Sequence, residues 1–530
     1  MMNSFWKKGE PQVFVTAAAL SVTLLLTVIL VVVVMVNGLG FFWPSNVAKG
    51  ELKDGTAILG EITAKEKGQV ARLQFKVGNR DIYGQDFRWV DRSEIRTLTY
   101  PADSVVLERK EHGNFVGFLS KLSIEGLKLP DSKDLWLRFV SAHEQVVALA
   151  EQNRAIEQEM ADLNYKAEQL RLKIAKLSFR DKAAHDAEVK ALTAKRQEIL
   201  NSFSTLSEKL IAQVAEQQRF TATFTEVGGN EKEISLANIV RSYRPNTMPV
   251  WSKAAYYLGK VWELLFDEPR ESNTEGGLFP AIFGTVLMVL LMSFFSLPFG
   301  VIAAVYLREY AKDGMLVRLV RIAVNNLAGV PSIVYGVFGL GFFVYGLGAG
   351  IDNLFYAERL PTPTFGTGGI LWASLTLALL TVPVVIVASE ESLAAIPKGI
   401  REGSLALGAT KFQTLSRILL PMATPGIMTG MILSMARAAG EVAPLMLVGV
   451  VKLAPTLPID GRFPFFHVDR KFMHLGFHIY DVGFQSPNVE AAKPMVFVTT
   501  LLLLAIVIVA SSAAIYLRSQ MKKRYTTRTF

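Results

Sequence analysis

The chain has 530 residues, 51% of them hydrophobic, with a mean hydropathy of +0.31: too apolar for an ordinary soluble protein and long enough for several domains. Its formal net charge of +9 comes without zinc-finger spacing or the aromatic signature of RNA binders, so it points to charge beside membrane spans rather than to nucleic acid. The absence of cysteine excludes disulfides, thiol catalysis and thiolate metal sites.

Val13 to Val36 is uncharged, follows Lys7 and Lys8, and is about 24 residues long, enough to cross roughly 30 Å of hydrocarbon. A cleavable signal has a shorter apolar core, so this run reads as a retained transmembrane helix, with a cleaved signal as the alternative. From Ser45 to about Asn273 the chain is polar. Between Glu51 and Leu107, short runs rich in Val, Ile and aromatics, such as Ala71 to Val77 and Asp86 to Val90, alternate with turn signals at Asp54-Gly55, Lys67-Gly68 and Gly78-Asn79, which predicts a small β domain.

Pro130-Asp131-Ser132 predicts a helix start. After it Phe139, Ala142, Val146, Leu149, Asn153, Ile156, Met160, Leu163, Ala167, Leu170, Ile174 and Leu177 recur at heptad a and d spacing. The pattern breaks at Asp181 and resumes from Val189 to Leu210, predicting an antiparallel coiled-coil hairpin of about 40 residues, or roughly 60 Å, that projects well beyond the membrane surface. Asn153 at an a position either fixes register as a buried amide or faces solvent beside a frayed seam.

Phe220 to Val240 returns to strand-like residues, and Phe224 to Asn230 echoes Phe75 to Asn79, so the hairpin is read as interrupting one β domain whose closing strands follow it. Val250 to Phe266, with Trp251, Tyr256, Tyr257 and Trp262 among Lys253 and Lys260, reads as a helix at the membrane surface, an ordinary packed helix being the alternative. Five further spans are predicted at Phe279 to Leu307, Val320 to Leu347, Ile370 to Ser389, Met422 to Val450 and Met495 to Leu517, six in all.

Two spans carry residues a plain anchor does not need. Leu327 to Gly336 places Pro331 and Ser332 among glycines where a helix should be continuous, either a pathway-lining bend or small-residue helix packing. Arg437 and Glu441 stand four apart inside a span, where charge is expensive; they either meet an anionic substrate or form a fixed salt bridge. Between the fourth and fifth spans, Glu402, Gly408, Ile418, Leu420 and Pro421 keep the spacing E-x(5)-G-x(9)-I-x-L-P.

That spacing resembles the coupling loop of bacterial ABC-transporter permeases, which implies a short cytoplasmic helix pair docking into a separate ATPase; a helical loop with chance spacing is the alternative. The family usually writes Glu-Ala-Ala where this chain has Glu402-Gly403-Ser404. Gly403 weakens a helix interior by roughly 1 kcal/mol relative to Ala. With Gly329 to Leu340, Arg437 to Leu445 and Pro269 to Thr285, the loop is similar to the PstA-type permease subunits of bacterial phosphate ABC transporters, over about Pro269 to Leu517. The resemblance implies an all-α polytopic fold of six transmembrane helices, the ABC importer permease fold, carrying an external β plus coiled-coil insert. It implies a PstC-like permease partner, a PstB-like ATPase dimer and a PstS-like periplasmic phosphate-binding protein. The chain itself is then no enzyme and binds no cofactor, ATP and Mg being used by the ATPase. Family members of this kind are usually shorter, and the resemblance assigns the insert no role.

A cytoplasmic coupling loop places both termini inside and Ser45 to Asn273 in the periplasm by parity. The tail charges Arg518, Lys522, Lys523, Arg524 and Arg528 agree, against Asp352, Glu358 and one Arg359 in the loop Ile351 to Gly369. The resulting division is 1–44 N-terminus and first span, 45–130 β-rich segment, 131–220 hairpin, 221–275 returning strands and interfacial helix, 276–518 five-helix core with its coupling loop at 390–421, and 519–530 basic tail. No G-x-x-x-x-G-K-[ST] motif occurs, so ATP hydrolysis has to come from a partner. His474 and His478 have metal spacing only if helical, and no metal site is predicted. Two other readings stand beside phosphate import: a permease for another oxyanion, and a membrane-anchored interaction or sensing protein working through its coiled coil.

Overall fold

The computed structural model describes residues 10–66, 71–124, 127–129, 134–181, 185–270, 273–312, 314–486 and 489–526. The expected helix start at Pro130-Asp131-Ser132 and the turn at Lys67-Gly68 lie outside them, as do Lys7, Lys8 and Arg528. Among the described residues six helices are long and apolar enough to cross a membrane.

The first, α1 (Glu10–Gly40), leads into two antiparallel sheets. One contains β1 (Val47–Leu52), β2 (Ala57–Glu66), β3 (Arg72–Lys76), β4 (Phe87–Asp91) and β5 (Ile95–Thr99) in the order β4-β3-β2-β1-β5. The other contains β6 (Val105–Arg109), β7 (Phe115–Ile124), β8 (Leu127–Leu129), β9 (Thr221–Thr225), β10 (Glu231–Ser235) and β11 (Ile239–Tyr243), ordered β10-β9-β7-β6-β11 with β8 on β7. The two orders are the same order. Each sheet also enters its last strand through a 3-10 turn, Arg92–Glu94 before β5 and Leu236–Asn238 before β11. The echo between Phe75-Lys76-Val77-Gly78-Asn79 and Phe224 to Asn230 falls at equivalent places, the ends of β3 and β9, with Phe75 and Phe224 each fully buried. Asn79, in the left-handed region at φ 53, joins the sheets by donating to the Val116 carbonyl at 2.9 Å and accepting from its amide at 2.7 Å.

The insertion sits inside the second copy, between β8 and β9: α2 (Leu135–Asp181) and α3 (Asp186–Gln217) pack along each other. Their apolar a and d residues begin in the core of the second sheet, where Phe139 stacks near Trp136 and edge-on to Phe224. Asn153 is buried, which decides for the amide inside the seam. The hairpin does not stand free as the heptads alone suggested. Midway along α2 the Tyr165 hydroxyl donates to the Phe463 carbonyl at 3.0 Å, and Asp162 pairs with Arg462 at 2.8 Å.

Helix α4 (Val250–Phe266) is two-sided. Trp251, Leu258, Trp262 and Phe266 are exposed, as a membrane-surface helix requires. Its lysines face the other way: Lys260 pairs with Glu108 at 2.6 Å and with Glu263 at 3.1 Å, and Lys253 reaches Asn46 at 2.6 Å. Both lysines are thus engaged under the β domain instead of meeting lipid headgroups, and Arg270 reaches Glu263 from beside the first bundle helix at 2.5 Å.

The bundle follows as α5 (Phe279–Val305), α6 (Met315–Leu327), α7 (Ser332–Phe355), α8 (Ile370–Ala394), α9 (Lys398–Ala406), α10 (Lys411–Ala439), α11 (Ala443–Val448), α12 (Leu475–Tyr480) and α13 (Val489–Thr526). Glycines set the close approaches: a side chain at Gly300 would strike Val385, and one at Gly430 would strike Ala388. The spans differ from those read in the sequence: α1 and α13 run longer at both ends than Val13 to Val36 and Met495 to Leu517, and three others change as follows. The expected Val320 to Leu347 span is two helices, α6 and α7, broken at 328–331; the expected Met422 to Val450 span begins at Lys411 and breaks after Ala439; and α8 runs past Ser389 to Ala394, so the coupling segment starts after 394 rather than at 390. In each case the apolar run is real, but proline, glycine and caps decide where the helix ends.

Because the chain lacks cysteine, Asp162→Cys with Arg462→Cys makes a clean pair for a short bis-maleimide. The docked hairpin predicts an intramolecular cross-link in membranes, seen as a mobility shift; single labelling at both sites without joining would refute it.

Candidate functional site

The coupling segment is built by caps. Pro397 caps α9, which carries Glu402 and Gly403 on an exposed face. It ends where Gly408 takes φ +86, a left-handed conformation that costs non-glycine residues roughly 1–2 kcal/mol. Thr410 then opens α10 with a capping box: its hydroxyl accepts the Gln413 amide at 3.2 Å and the Gln413 side chain accepts the Thr410 amide at 2.9 Å. Ser404 and Thr414 share a buried hydrogen bond of 2.8 Å that holds α9 against α10. Ile418, Leu420 and Pro421 do not belong to the exposed turn. They lie in α10, where a wide π turn, Leu415–Leu419, precedes the proline that lacks an amide proton.

Sequence reading did not single out what fixes this segment. Arg401 donates to the Leu393 carbonyl at 2.5 Å and the Ile396 carbonyl at 2.7 Å, closing the end of α8, and pairs with Glu309 at 2.9 Å beyond α5. One guanidinium thus ties α9 to two spans. Leu407 and Phe412 flank Gly408 with 91% and 70% of their surface exposed, an apolar knob beside Glu402. An exposed Leu and Phe in a polar connection were legible; the Arg401 contacts were not, since Glu309 is 92 residues away.

The second constellation is two helix breaks brought together. Pro331 caps α7, and across the gap the Tyr335 hydroxyl donates to the Leu327 carbonyl of α6 at 2.7 Å. Gly336 lies so close to Pro444 of α11 that a side chain there would strike its backbone. The four residues expected at a pathway, Pro331, Ser332, Arg437 and Glu441, therefore gather around one place. Contacts along α8 fix its depth: Gly339 meets Thr376 of α8 and Gly348 meets Phe365 beyond its first end, whereas Gly426 meets Ser392 near its last. The breaks lie within the bundle and not at its rim.

Arg437 and Glu441 do pair, at 3.6 Å, but not along a helix face as their spacing suggested. The helix ends at Ala439, and Gly440 and Val442 lead into α11 with Pro444 at its start. The Arg437 side chain keeps 37% of its surface open, so the ion pair leaves donors free. The first amides of α7 have no acceptor within their helix, and a helix N-terminus favours negative charge. An arginine beside such an end is an arrangement that can receive an oxyanion.

His474 and His478 are both buried and neutral, burial pushing them down to about 3 and about 4. His474 Nδ1 accepts the Gly476 amide at 3.1 Å, and His478 Nε2 donates to the Asn273 carbonyl at 3.1 Å. No group of three or more metal-binding side chains occurs among the described residues.

Residues 296–523 match the family described as binding-protein-dependent transport system inner membrane component. The chain is 30% identical over 223 residues, 41% of its own length and 70% of the relative's, to the probable ABC transporter permease protein YqgI of Bacillus subtilis (strain 168). To YqgH of the same strain, also named a probable ABC transporter permease protein, it is 34% identical over 36% of this chain and 59% of that one. It is 39% identical, over 33% of this chain and 52% of that one, to the phosphate transport system permease protein PstA 1 of Mycobacterium tuberculosis (strain CDC 1551 / Oshkosh). Of these last two relatives the chain thus spans only 59% and 52% of the length. Residues 45–275 lie outside the family match.

Two expectations follow from this geometry. Arg401→Ala should release α9 from the end of α8 and from Glu309, read as faster limited proteolysis between residues 394 and 411 in membranes. Gly408→Val should loosen the same turn, its left-handed backbone costing roughly 1–2 kcal/mol, read by the same proteolysis.

Proposed function

Since the chain belongs to the ABC-transporter permeases, the inner-membrane components of binding-protein-dependent transport systems, we propose that it is one permease subunit of an ATP-driven importer that moves inorganic phosphate across the bacterial inner membrane. The observation that carries the reading is the pair of facing helix breaks, Pro331 and Ser332 at one and Arg437 with Glu441 at the other, with Arg437 near the end of α10 opposite the one that carries Phe412.

In this reading Glu402, Gly403, Leu407, Gly408 and Phe412 seat in a cleft of a PstB-like ATPase dimer, where ATP and Mg are used. Both termini are cytoplasmic and the segment 45–275 is periplasmic. A PstC-like permease completes the path, which accounts for the exposure of Arg437 and of Leu316, Leu319 and Val320 on α6. A PstS-like binding protein delivers phosphate at the end of the bundle away from the coupling knob. Phosphate is favoured over other oxyanions by relatives named as phosphate transport permeases in Mycobacterium tuberculosis, Mycobacterium leprae and Yersinia pestis.

The steps left to this chain are electrostatic and mechanical. Arg437, half-engaged by Glu441, can exchange that carboxylate for a phosphate oxygen, with the α7 amides completing the donors. When the ATPase dimer closes on the knob, α10 moves as a rod and shifts Arg437 relative to α7, so that the anion is released to the other side.

The test is phosphate uptake and binding-protein-stimulated ATP hydrolysis in proteoliposomes. Arg437→Ala should lower uptake by about tenfold or more, the worth of one charge-assisted hydrogen bond of about 1.5–3 kcal/mol, with the knob's hold on the ATPase unchanged. Glu441→Gln should tighten solute retention and slow release. Full phosphate uptake by the Arg437 variant, or stimulation by an arsenate- or sulfate-loaded binding protein alone, would overturn the assignment of phosphate to this site.

A further inference from the structure

We infer that the α2–α3 hairpin is an arm of the docking surface for the solute-binding protein, pinned at the mouth of the path and presenting a basic end to an acidic patch on that partner. The inference rests on the binding-protein-dependent reading above. It assigns a role to the segment that the family match leaves out.

The anchor is specific. The Arg462 guanidinium pairs with Asp162 at 2.8 Å and lies 4.9 Å from the centre of the Tyr165 ring, while the Tyr165 hydroxyl holds the Phe463 carbonyl. Helix α2 also packs on the turn Ala357–Arg359, so it bridges the connection between α7 and α8 and the connection between α11 and α12. The second connection is tied to the end of the bundle: the Ile370 amide bonds the Arg470 carbonyl at 2.9 Å, Leu371 bonds Val468 at 3.0 Å, and Phe472 bonds Gly449, just past α11, at 3.3 Å. Within the connection Asp460 holds Arg470 at 2.6 Å and His467 at 3.0 Å. Burial would push its carboxyl up, but the Arg462 amide, Arg470 and His467 bring it down to about 2, so Asp460 keeps its charge and its hold on Arg470 at any physiological pH.

Charge along the arm changes sign at this anchor. Residues 135–165 carry two Arg against five Asp and Glu, whereas residues 166–196 carry nine Lys and Arg against four Asp and Glu. Past the anchor α2 continues for about 16 residues, roughly 24 Å. Lys166, Lys173, Lys176 and Lys195 are exposed there, while the acids Glu168 and Asp186 are engaged by Arg171 at 2.7 Å and Lys190 at 2.7 Å. A cationic end held over a mouth raises the encounter rate of an acidic partner and fixes its orientation. The partner is the binding protein and not the bilayer, because the aromatic residues suited to lipid, Trp251 and Trp262, stand on α4 under the β domain at the arm's opposite end.

The test measures docking of the organism's own phosphate-binding protein, loaded with inorganic phosphate, to the intact transporter in phosphatidylcholine nanodiscs. Lys173→Glu with Lys176→Glu and Lys195→Glu should weaken docking at low salt by about tenfold or more, the gap closing as salt rises. Stimulated ATP hydrolysis should reach its normal maximum at saturating binding protein. The Gln versions of the same three positions should fall between. Unchanged docking by a triple variant that assembles normally would overturn the inference, as would loss of the second permease subunit on purification, or a difference that appears only when anionic lipid is added. If the unaltered transporter ignores phosphate-loaded protein but docks one loaded with another oxyanion, the phosphate reading fails and the arm is judged with that protein instead.

Discussion

A helix crossing hydrocarbon has to satisfy every backbone amide and carbonyl, and interrupting it is tolerated only where protein or water takes up the freed groups. This chain interrupts two of its spans, and the interruptions face each other. At the first, the Tyr335 hydroxyl takes up the Leu327 carbonyl, stapling α6 to α7 across the gap. At the second, Gly440 and Val442 carry the chain from α10 to α11, and Gly336 gives α11 room to approach α7. The first break is thus closed by a side chain of its own span, and the second by the close packing of α11 on α7.

The coupling segment depends on the same constraint. Helix α10 runs without a break for 29 residues from Lys411 to Ala439, about 44 Å, with a π turn to accommodate Pro421. Its near end carries Phe412 and its far end carries Arg437, so one continuous helix joins the exposed segment to the second break. By gripping the end of α8 and Glu309 at once, Arg401 holds α9 on the bundle.

How much of this was legible follows from the range of each interaction. Spans, the Gly408 turn and the proximity of Arg437 to Glu441 rest on composition or on contacts within a few residues, and the sequence pattern carries such information directly. Helix ends were misplaced where an apolar run outlasted its helix: Val442 to Val450 is apolar, yet Gly440 and Pro444 end one helix and start another. The Arg401 to Glu309 pair and the hairpin anchor lie outside local pattern altogether, the latter joining residues 298 and 300 positions apart. The repeated sheet was half visible. Phe224 to Asn230 echoes Phe75 to Asn79 because a buried aromatic followed by a glycine turn is needed at the same place in both copies.

That repeat also explains why the arm lies where it does. In the first sheet the second and third strands are joined by residues 67–71, whereas in the second the chain leaves β8 at 129 and returns at Thr221, enclosing the whole hairpin. Strands paired antiparallel enter and leave at the same edge, so both ends of an insertion there are held by the sheet and it can be long without loosening the core. Direction is then set by Phe139, whose packing on Phe224 fixes the first turns of α2, and by Asn153 buried in the seam. From Phe139 to Tyr165 is about 26 residues, roughly 39 Å, which is the reach from the β domain to the connection at Arg462. A helix has few ways to shorten or lengthen, so the length of α2 between two fixed points acts as a ruler. It positions the cationic end beyond the connection at Arg462, while the acidic half spans the distance from the β domain to that connection.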